Sequence, residues 1–311
     1  MAATEHIRLI PAAQIDRQLW DACVTSDTRA TIYSLSWVLD ALSDDWEGLV
    51  GGDYQTVLAL PVKRRAGLKM VYVPPFIQRL GFAGSQDSNT LNAFIKIIEG
   101  RYRLMEYAAS RQLSLRNTAF HTRTNYILNL NRYEDVRKNY SEACIKNLRK
   151  SEKRGAQFAE DLQIDEVIQL FRQAYGNKAA YTADHYLAVH RLYKEALKHG
   201  SAILAGVRNE TGELVYGAFL LKDTKRIYYL IGAPTDTGRT MRATYFFIDQ
   251  IFQRWSASGL TFDFEGSDIP SVADFYRSFG PEKETYYRFF RNAYPFPLKQ
   301  ILDRKLGWKQ S

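Results

Sequence analysis

Apolar and polar positions alternate with a period of two over 53–65 and again over 68–75, with Ala66-Gly67 between them, which predicts a β-hairpin. A Gly-containing loop over 81–88 follows, then an amphipathic helical run from about 90 to 111 and a strand over 114–122. The same order returns in the second half. There 214–221 and 226–232 flank Lys222-Asp223 as a second hairpin, 233–238 forms a loop, 240–256 a helix and 260–265 a strand. The offset between the halves drifts over roughly 145 to 160 residues, which indicates a repeated architecture and not a short-period solenoid. Two further helices are expected at 165–176 and 183–200. Between the halves, 140–155 has a helical period, with Tyr140, Cys144 and Leu148 on one stripe, Lys146, Arg149, Lys150 and Lys153 on another, and Gly155 as a stop. The tail carries a short apolar-basic helix with Leu298, Ile301, Leu302 and Leu306 on one stripe.

One strand departs from the usual pattern. Over Leu260-Thr261-Phe262-Asp263-Phe264-Glu265 a period of two puts both phenylalanines on one face and both acids on the other, and the run ends at Gly266. Burying two ionisable groups costs several kcal/mol unless they are paired or line a cavity. The strand therefore either lines a cleft or is an antiparallel strand with one wet face.

At 311 residues the chain is long for one core, and about two domains are expected. No apolar run approaches the roughly 20 residues of a membrane span, and 1–8 lacks the apolar stretch of a secretory signal, so a cytoplasmic location is expected. Only Cys23 and Cys144 are present, too few for a disulfide framework, and the five histidines form no metal-ligand spacing, so no metal is expected. The formal charge of +8 favours anionic partners such as phosphates, nucleotides, RNA or an anionic membrane surface. The basic run at 146–153 is then either solvated surface or a phosphate-binding wall, and the tail helix either packs on a domain or touches a membrane. Gly-x-Ser-x-Gly, Gly-x-x-x-x-Gly-Lys-Ser/Thr and Gly-x-Gly-x-x-Gly are all absent, which removes the usual marks of a serine hydrolase, a P-loop nucleotidase and a dinucleotide-binding fold.

Several segments, in their order, carry a resemblance: Pro74-Pro75-Phe76-Ile77-Gln78-Arg79-Leu80-Gly81, Tyr126-Ile127-Leu128-Asn129-Leu130, the basic run 146–155, Phe262-Asp263-Phe264-Glu265-Gly266-Ser267 and Phe275-Tyr276-Arg277-Ser278-Phe279-Gly280. Together they resemble the GNAT acyltransferases, and in duplicated form the Fem family of tandem-GNAT aminoacyltransferases and its acetyltransferase-like relatives. The resemblance implies an α/β (α+β) fold of two tandem GNAT-like domains, each a mixed, mostly antiparallel sheet flanked by helices. These would span 1–125 and 126–295, with the basic helix 138–154 near the junction and 296–311 packing back as a helix.

It also implies an N-acyltransferase whose donor is acyl-CoA or aminoacyl-tRNA and whose acceptor is the amine of a small molecule or cell-wall precursor. Partners would include tRNA but not DNA. The alternative is a non-catalytic protein that binds tRNA or another polyanion on a degenerate GNAT scaffold. Glu265 is the first candidate base, Asp263 the second carboxylate, and Tyr276 the hydroxyl donor. Lys146, Arg149, Lys150 and Asp268 are assigned to substrate or phosphate. Gly238, Arg239 and Arg242 stand where GNAT enzymes hold a pyrophosphate at a helix N-terminus. Two departures matter: Phe275-Tyr276 replaces the Phe-Lys pair of the peptidoglycan-building enzymes, and 236–243 lacks their relatives' glycine cradle, whose pattern occurs only at 78–83.

Overall fold

A computed structural model describes residues 6–65, 67–85, 87–176, 181–266 and 268–306. The expectations on 1–5, Ala66, Ser267 and the last turn of the tail at 307–311 lie outside the described residues. The chain divides into one unit of 1–123 with 285–311 and a second of 124–284.

The first unit begins with β1 (Ile7–Pro11), α1 (Arg17–Ser26), α2 (Ser36–Leu42), β2 (Asp45–Gly51), β3 (Thr56–Arg65), β4 (Leu68–Val71), β5 (Phe82–Gly84), α3 (Ser88–Arg101) and β6 (Leu104–Ala109). β3 and β4 form the expected antiparallel hairpin, with Val62 opposite Val71. β6 then pairs parallel to β4, Val71 opposite Met105. The helix expected to run to 111 stops at Arg101, and β6 takes the rest. Leu, Met, Glu and Ala favour helix by propensity, but all of β6 except Glu106 is buried, so no alternation marks the strand and only its neighbours define it.

β7 (Thr118–Asn129) leads into the second unit, which contains α4 (Tyr133–Arg137), α5 (Glu142–Glu152), β8 (Gln157–Ala159), α6 (Ile164–Tyr175), α7 (Ala183–Lys198), β9 (Ala202–Arg208), β10 (Leu214–Lys222), β11 (Arg226–Pro234), α8 (Asp236–Met241), α9 (Ala243–Arg254), β12 (Thr261–Asp263) and α10 (Pro270–Arg277). Its strands lie in the order β7-β12-β11-β10-β9-β8. The β10–β11 hairpin is antiparallel and β12 is parallel to β11, so hairpin, helix and parallel strand follow one another here as they do in the first unit.

The two faces of this sheet are told apart at Gly217 and Ala218. A Cβ on Gly217 would sit 3.2 Å from Val167 and Leu170 of α6, whereas Ala218 belongs to the core that α9 fills with Phe246, Phe247, Ile251 and Phe252. α9 also anchors the basic helix. Its buried Asp249 accepts from Tyr133 at 2.8 Å, Tyr140 at 3.0 Å and Gln253 at 2.7 Å, and α5 turns Cys144, Leu148 and Ser151 inward.

The last strand, β13 (Glu282–Asn292), and α11 (Leu298–Leu306) complete the chain. From Thr285 onward β13 belongs to the first unit, where it pairs antiparallel to β6 from Tyr287 opposite Ala109 to Asn292 opposite Leu104. Residues 285–295, expected in the second domain, thus join the first because their hydrogen-bond partners are there. Among the described residues no helix is long and apolar enough to cross a membrane.

Candidate functional site

β12 is an interior strand of the second unit's sheet, antiparallel to β7 on one side and parallel to β11 on the other. Phe262 and Phe264 are both fully buried. Phe262 packs on Phe252 at 5.1 Å between ring centroids, and Phe264 on Tyr276 at 4.8 Å. Asp263 is buried as completely as its neighbours, so it lines neither a wet face nor an open cleft. Its Oδ1 accepts from Asn125 Nδ2 at 2.9 Å and its Oδ2 from Arg226 Nη1 at 3.0 Å. Arg226 also holds Glu284 through Nη1 at 3.0 Å and Nη2 at 2.8 Å, and Asn125 donates to Glu284 at 3.1 Å.

Burial alone would pull the Arg226 guanidinium down. The bonds to Glu284 and the charge of Asp263 outweigh it and hold the group well above its ordinary value. Asp263, expected among the catalytic groups, is therefore one corner of a buried ion cluster.

The expected six-residue strand is shorter than its pattern. The strand ends at Asp263 with one further bond, from the Phe264 N–H to the Tyr126 carbonyl of β7 at 3.0 Å, and Glu265 then adopts a left-handed conformation with φ of 60°, followed by Gly266 with φ of 63°. A non-glycine residue there is strained by roughly 1 kcal/mol. The Asp263 carboxylate holds the turn, since its Oδ1 accepts the Glu265 N–H at 3.0 Å. The Glu265 side chain is half-buried.

Tyr276, on α10, is buried. Its phenol is pushed far up by burial, then by Tyr229, Tyr175, Glu265 and Asp263 around it. The Tyr216 and Tyr229 hydroxyls hydrogen-bond to each other above Gly232, where a Cβ would come within 2.5 and 2.6 Å of the two oxygens. Tyr216 likewise feels Tyr229, Tyr175 and Tyr276 after its own burial. Tyr276 on α10 thus lies within electrostatic reach of Glu265, of Tyr175 at the end of α6 and of Tyr229, whose hydroxyl meets that of Tyr216. The register of the β10–β11 hairpin shifts between Phe219 and Leu221, a bulge of the kind that re-aims side chains. Sequence reasoning singled out Glu265 and Tyr276 as candidates and gave no reason to add Tyr175, Tyr216 and Tyr229, which the structure brings near them. Each sits in an ordinary aromatic pattern, and only strand pairing and helix packing bring them together.

The basic residues occupy other elements. α5 presents Lys146 and Arg149 exposed and Lys150 half-buried. Helix 240–256 of the sequence reading is two helices, α8 and α9, broken at Arg242 with φ of 65°. Arg239 and Arg242 are both exposed, Arg239 with Asp236 at 3.5 Å. Arg154, just past α5, donates to the Thr240 carbonyl at 2.7 Å and so ties the end of the basic helix to this break. Asp268 is exposed on the segment entering α10.

Gly238 does not offer a cradle. It is buried, its N–H is taken by Thr235 Oγ1 at 3.0 Å, and a Cβ there would run into the Val215 carbonyl. Gly238→Ala is accordingly expected to destabilise the fold by about 1–3 kcal/mol through overpacking, read as a lower urea midpoint with an unchanged slope.

Residues 138–276 match the family model of the acetyltransferase (GNAT) domain. No curated protein matches the chain. Among solved structures, FemX is similar over 96% of this chain and 100% of its own, with a TM-score of 0.70 at 14% identity. A conserved protein of unknown function from Bacteroides thetaiotaomicron is similar over 93% and 99%, with a TM-score of 0.63 at 12% identity. L-PGS from Bacillus licheniformis is similar over 95% and 98%, with a TM-score of 0.56 at 15% identity. At such identities the likeness speaks for the fold, and the fold spans both units. Residues 138–276 therefore carry the acetyltransferase (GNAT) domain, and the chain shares its fold with FemX.

Proposed function

We propose that the protein transfers an acyl or aminoacyl group from an activated donor, acyl-CoA or aminoacyl-tRNA, to the amine of a small or cell-wall-type acceptor. The observation that carries this reading is Glu265, a strained, half-buried carboxylate at the C-terminal end of an interior strand, beside the buried phenol of Tyr276. Strain of this kind persists where the surrounding structure enforces it, and it clusters at working sites.

In the proposed step the amine nitrogen attacks the donor carbonyl carbon and the C–S or C–O bond to the leaving group breaks. The proton released by the amine passes to Glu265, and the leaving sulfur or oxygen takes one from Tyr276, whose burial keeps it protonated for that purpose. Proton return from Glu265 to Tyr276 through solvent restores both groups, so the net products are an amide and the protonated leaving group. Asp263 positions Glu265 through the backbone N–H it accepts and touches neither reactant. Asp268, as an exposed carboxylate, suits the acceptor's ammonium better than a phosphate.

Lys146, Arg149 and Lys150, with Arg239 and Arg242, form the proposed wall for the donor's phosphates. No carboxylate pairs with Lys146, Arg149, Lys150 or Arg242 in the ion pairs seen among the described residues. The same feature favours the second reading, a polyanion-binding protein without chemistry.

Thermal shifts with acetyl-CoA, longer acyl-CoAs and aminoacyl-tRNA separate the donors, because a ligand preferring the native state raises the melting point. Neutralising Lys146, Arg149 and Lys150 together to Gln is expected to abolish that shift. For a tRNA donor it should also reduce the slope of log affinity against log salt by about two to three. A shift by none of these donors, or one that survives the triple variant, overturns the phosphate-wall assignment. Binding with no amide product for any acceptor amine favours the second reading.

A further inference from the structure

α11 has a fixed inner side. Leu302 is buried against Met70, Tyr72 and Leu104, with Leu306 and Tyr294 beside it. Asp303 is buried too and accepts from Asn292 Nδ2 at 2.8 Å and Lys299 Nζ at 2.7 Å. With 3.6 residues per turn, the outer arc consists of Gln300, Ile301, Arg304 and Lys305, with Leu298, one turn before Leu302, at its edge, and all five are exposed. Leu298 is 37% exposed and Ile301 48%, and Phe296, between two prolines just before the helix, is 76% exposed. The other exposed large hydrophobics, Leu19, Phe120, Leu187, Leu197 and Ile269, are spread over other elements.

The charge of this arc has one sign. The only acid of the helix, Asp303, points inward onto Lys299, whereas Arg304 and Lys305 are exposed, as is Arg103, whose guanidinium lies 5.8 Å from the centre of the Tyr294 ring.

We infer that the outer arc of α11, with Phe296, docks the first unit on the surface of an anionic phospholipid bilayer. A short helix with apolar residues between bases lies in the interface plane, its apolar side chains among the acyl boundary and its cations on headgroup phosphates. A second copy of the chain is a poor occupant by comparison. An isologous contact would set the same basic arc against itself, and three side chains fall far short of the roughly 800 Å² per partner that a stable interface buries.

Co-sedimentation of the full chain with vesicles tests this. Binding to phosphatidylglycerol-containing vesicles and not to pure phosphatidylcholine vesicles is expected. The partition coefficient should fall at least about tenfold for Phe296→Ser with Ile301→Ser, and about fivefold for Arg304→Gln. All three positions are exposed, so an unchanged melting point should accompany the loss. A chain that stays in the supernatant at low salt overturns the proposal. So does binding undiminished by the Phe296/Ile301 pair, which would place the contact on basic surface elsewhere. Self-association that the same pair abolishes, without vesicle binding, would make a second copy the occupant instead.

Discussion

Arg226→Met is expected to destabilise the protein by about 3–5 kcal/mol, because removing one partner of a buried ion cluster leaves the remaining charges without compensation. Asp263 has no exposed surface, and Glu284 shares the same guanidinium. After the substitution Asp263 keeps the Asn125 amide and the Glu265 N–H, neutral donors that do not replace a counter-charge for a carboxylate with no exposed surface, while Glu284 retains part of its hydration. The measurement is the urea midpoint at unchanged slope. Combining Arg226→Met with Asp263→Asn and Glu284→Gln should cost less than the sum of the separate changes, since the three groups form one network. A loss below about 1 kcal/mol in Arg226→Met, or strict additivity in the combined variant, would show that the cluster does not hold β12 in place.

The second large effect concerns chemistry and not stability. Glu265→Gln keeps size and hydrogen-bonding reach but removes the proton acceptor, and kcat should fall by at least about tenfold and up to about 10⁴-fold, with KM for the donor little changed. Glu265→Gly is the informative companion. At φ of 60° glycine relieves the backbone strain, so this variant should be as stable as the parent or more stable by up to about 1 kcal/mol, while losing activity to the same degree. A stabilised but inactive Glu265→Gly separates a strained working residue from a structural one. An active Glu265→Gln removes Glu265 from the proton path, whatever happens to stability.

These two residues also mark how far the sequence can be read. Hairpins β3–β4 and β10–β11 were legible because alternation and turn residues are local signals, and so were α6, α7 and the amphipathic α5. The break between α8 and α9 was not. Arg242 carries no glycine or proline signal, yet it takes a left-handed conformation with φ of 65° between the two helices. β6 was hidden for a related reason: a strand buried on both faces shows no period, and its composition favours a helix.

At the site, the run around Asp263 and Glu265 was visible as acid where a core wants carbon, and that much came from residue order alone. The partners were not visible. Arg226 precedes Asp263 by 37 positions and Glu284 follows Arg226 by 58, and nothing in a linear pattern says that β11, β12 and the start of β13 bring them into one cluster. The amino-acid order determined most of the hairpins and amphipathic helices and placed two carboxylates on one short, otherwise apolar run at 260–265. Only the tertiary structure decided that Asp263 is paired with Arg226 within the fold while Glu265, two residues on, takes a left-handed backbone past the end of the strand. The reason is physical: burial and pairing depend on groups distant in sequence, and a strand's period ends where its neighbours stop supplying hydrogen bonds.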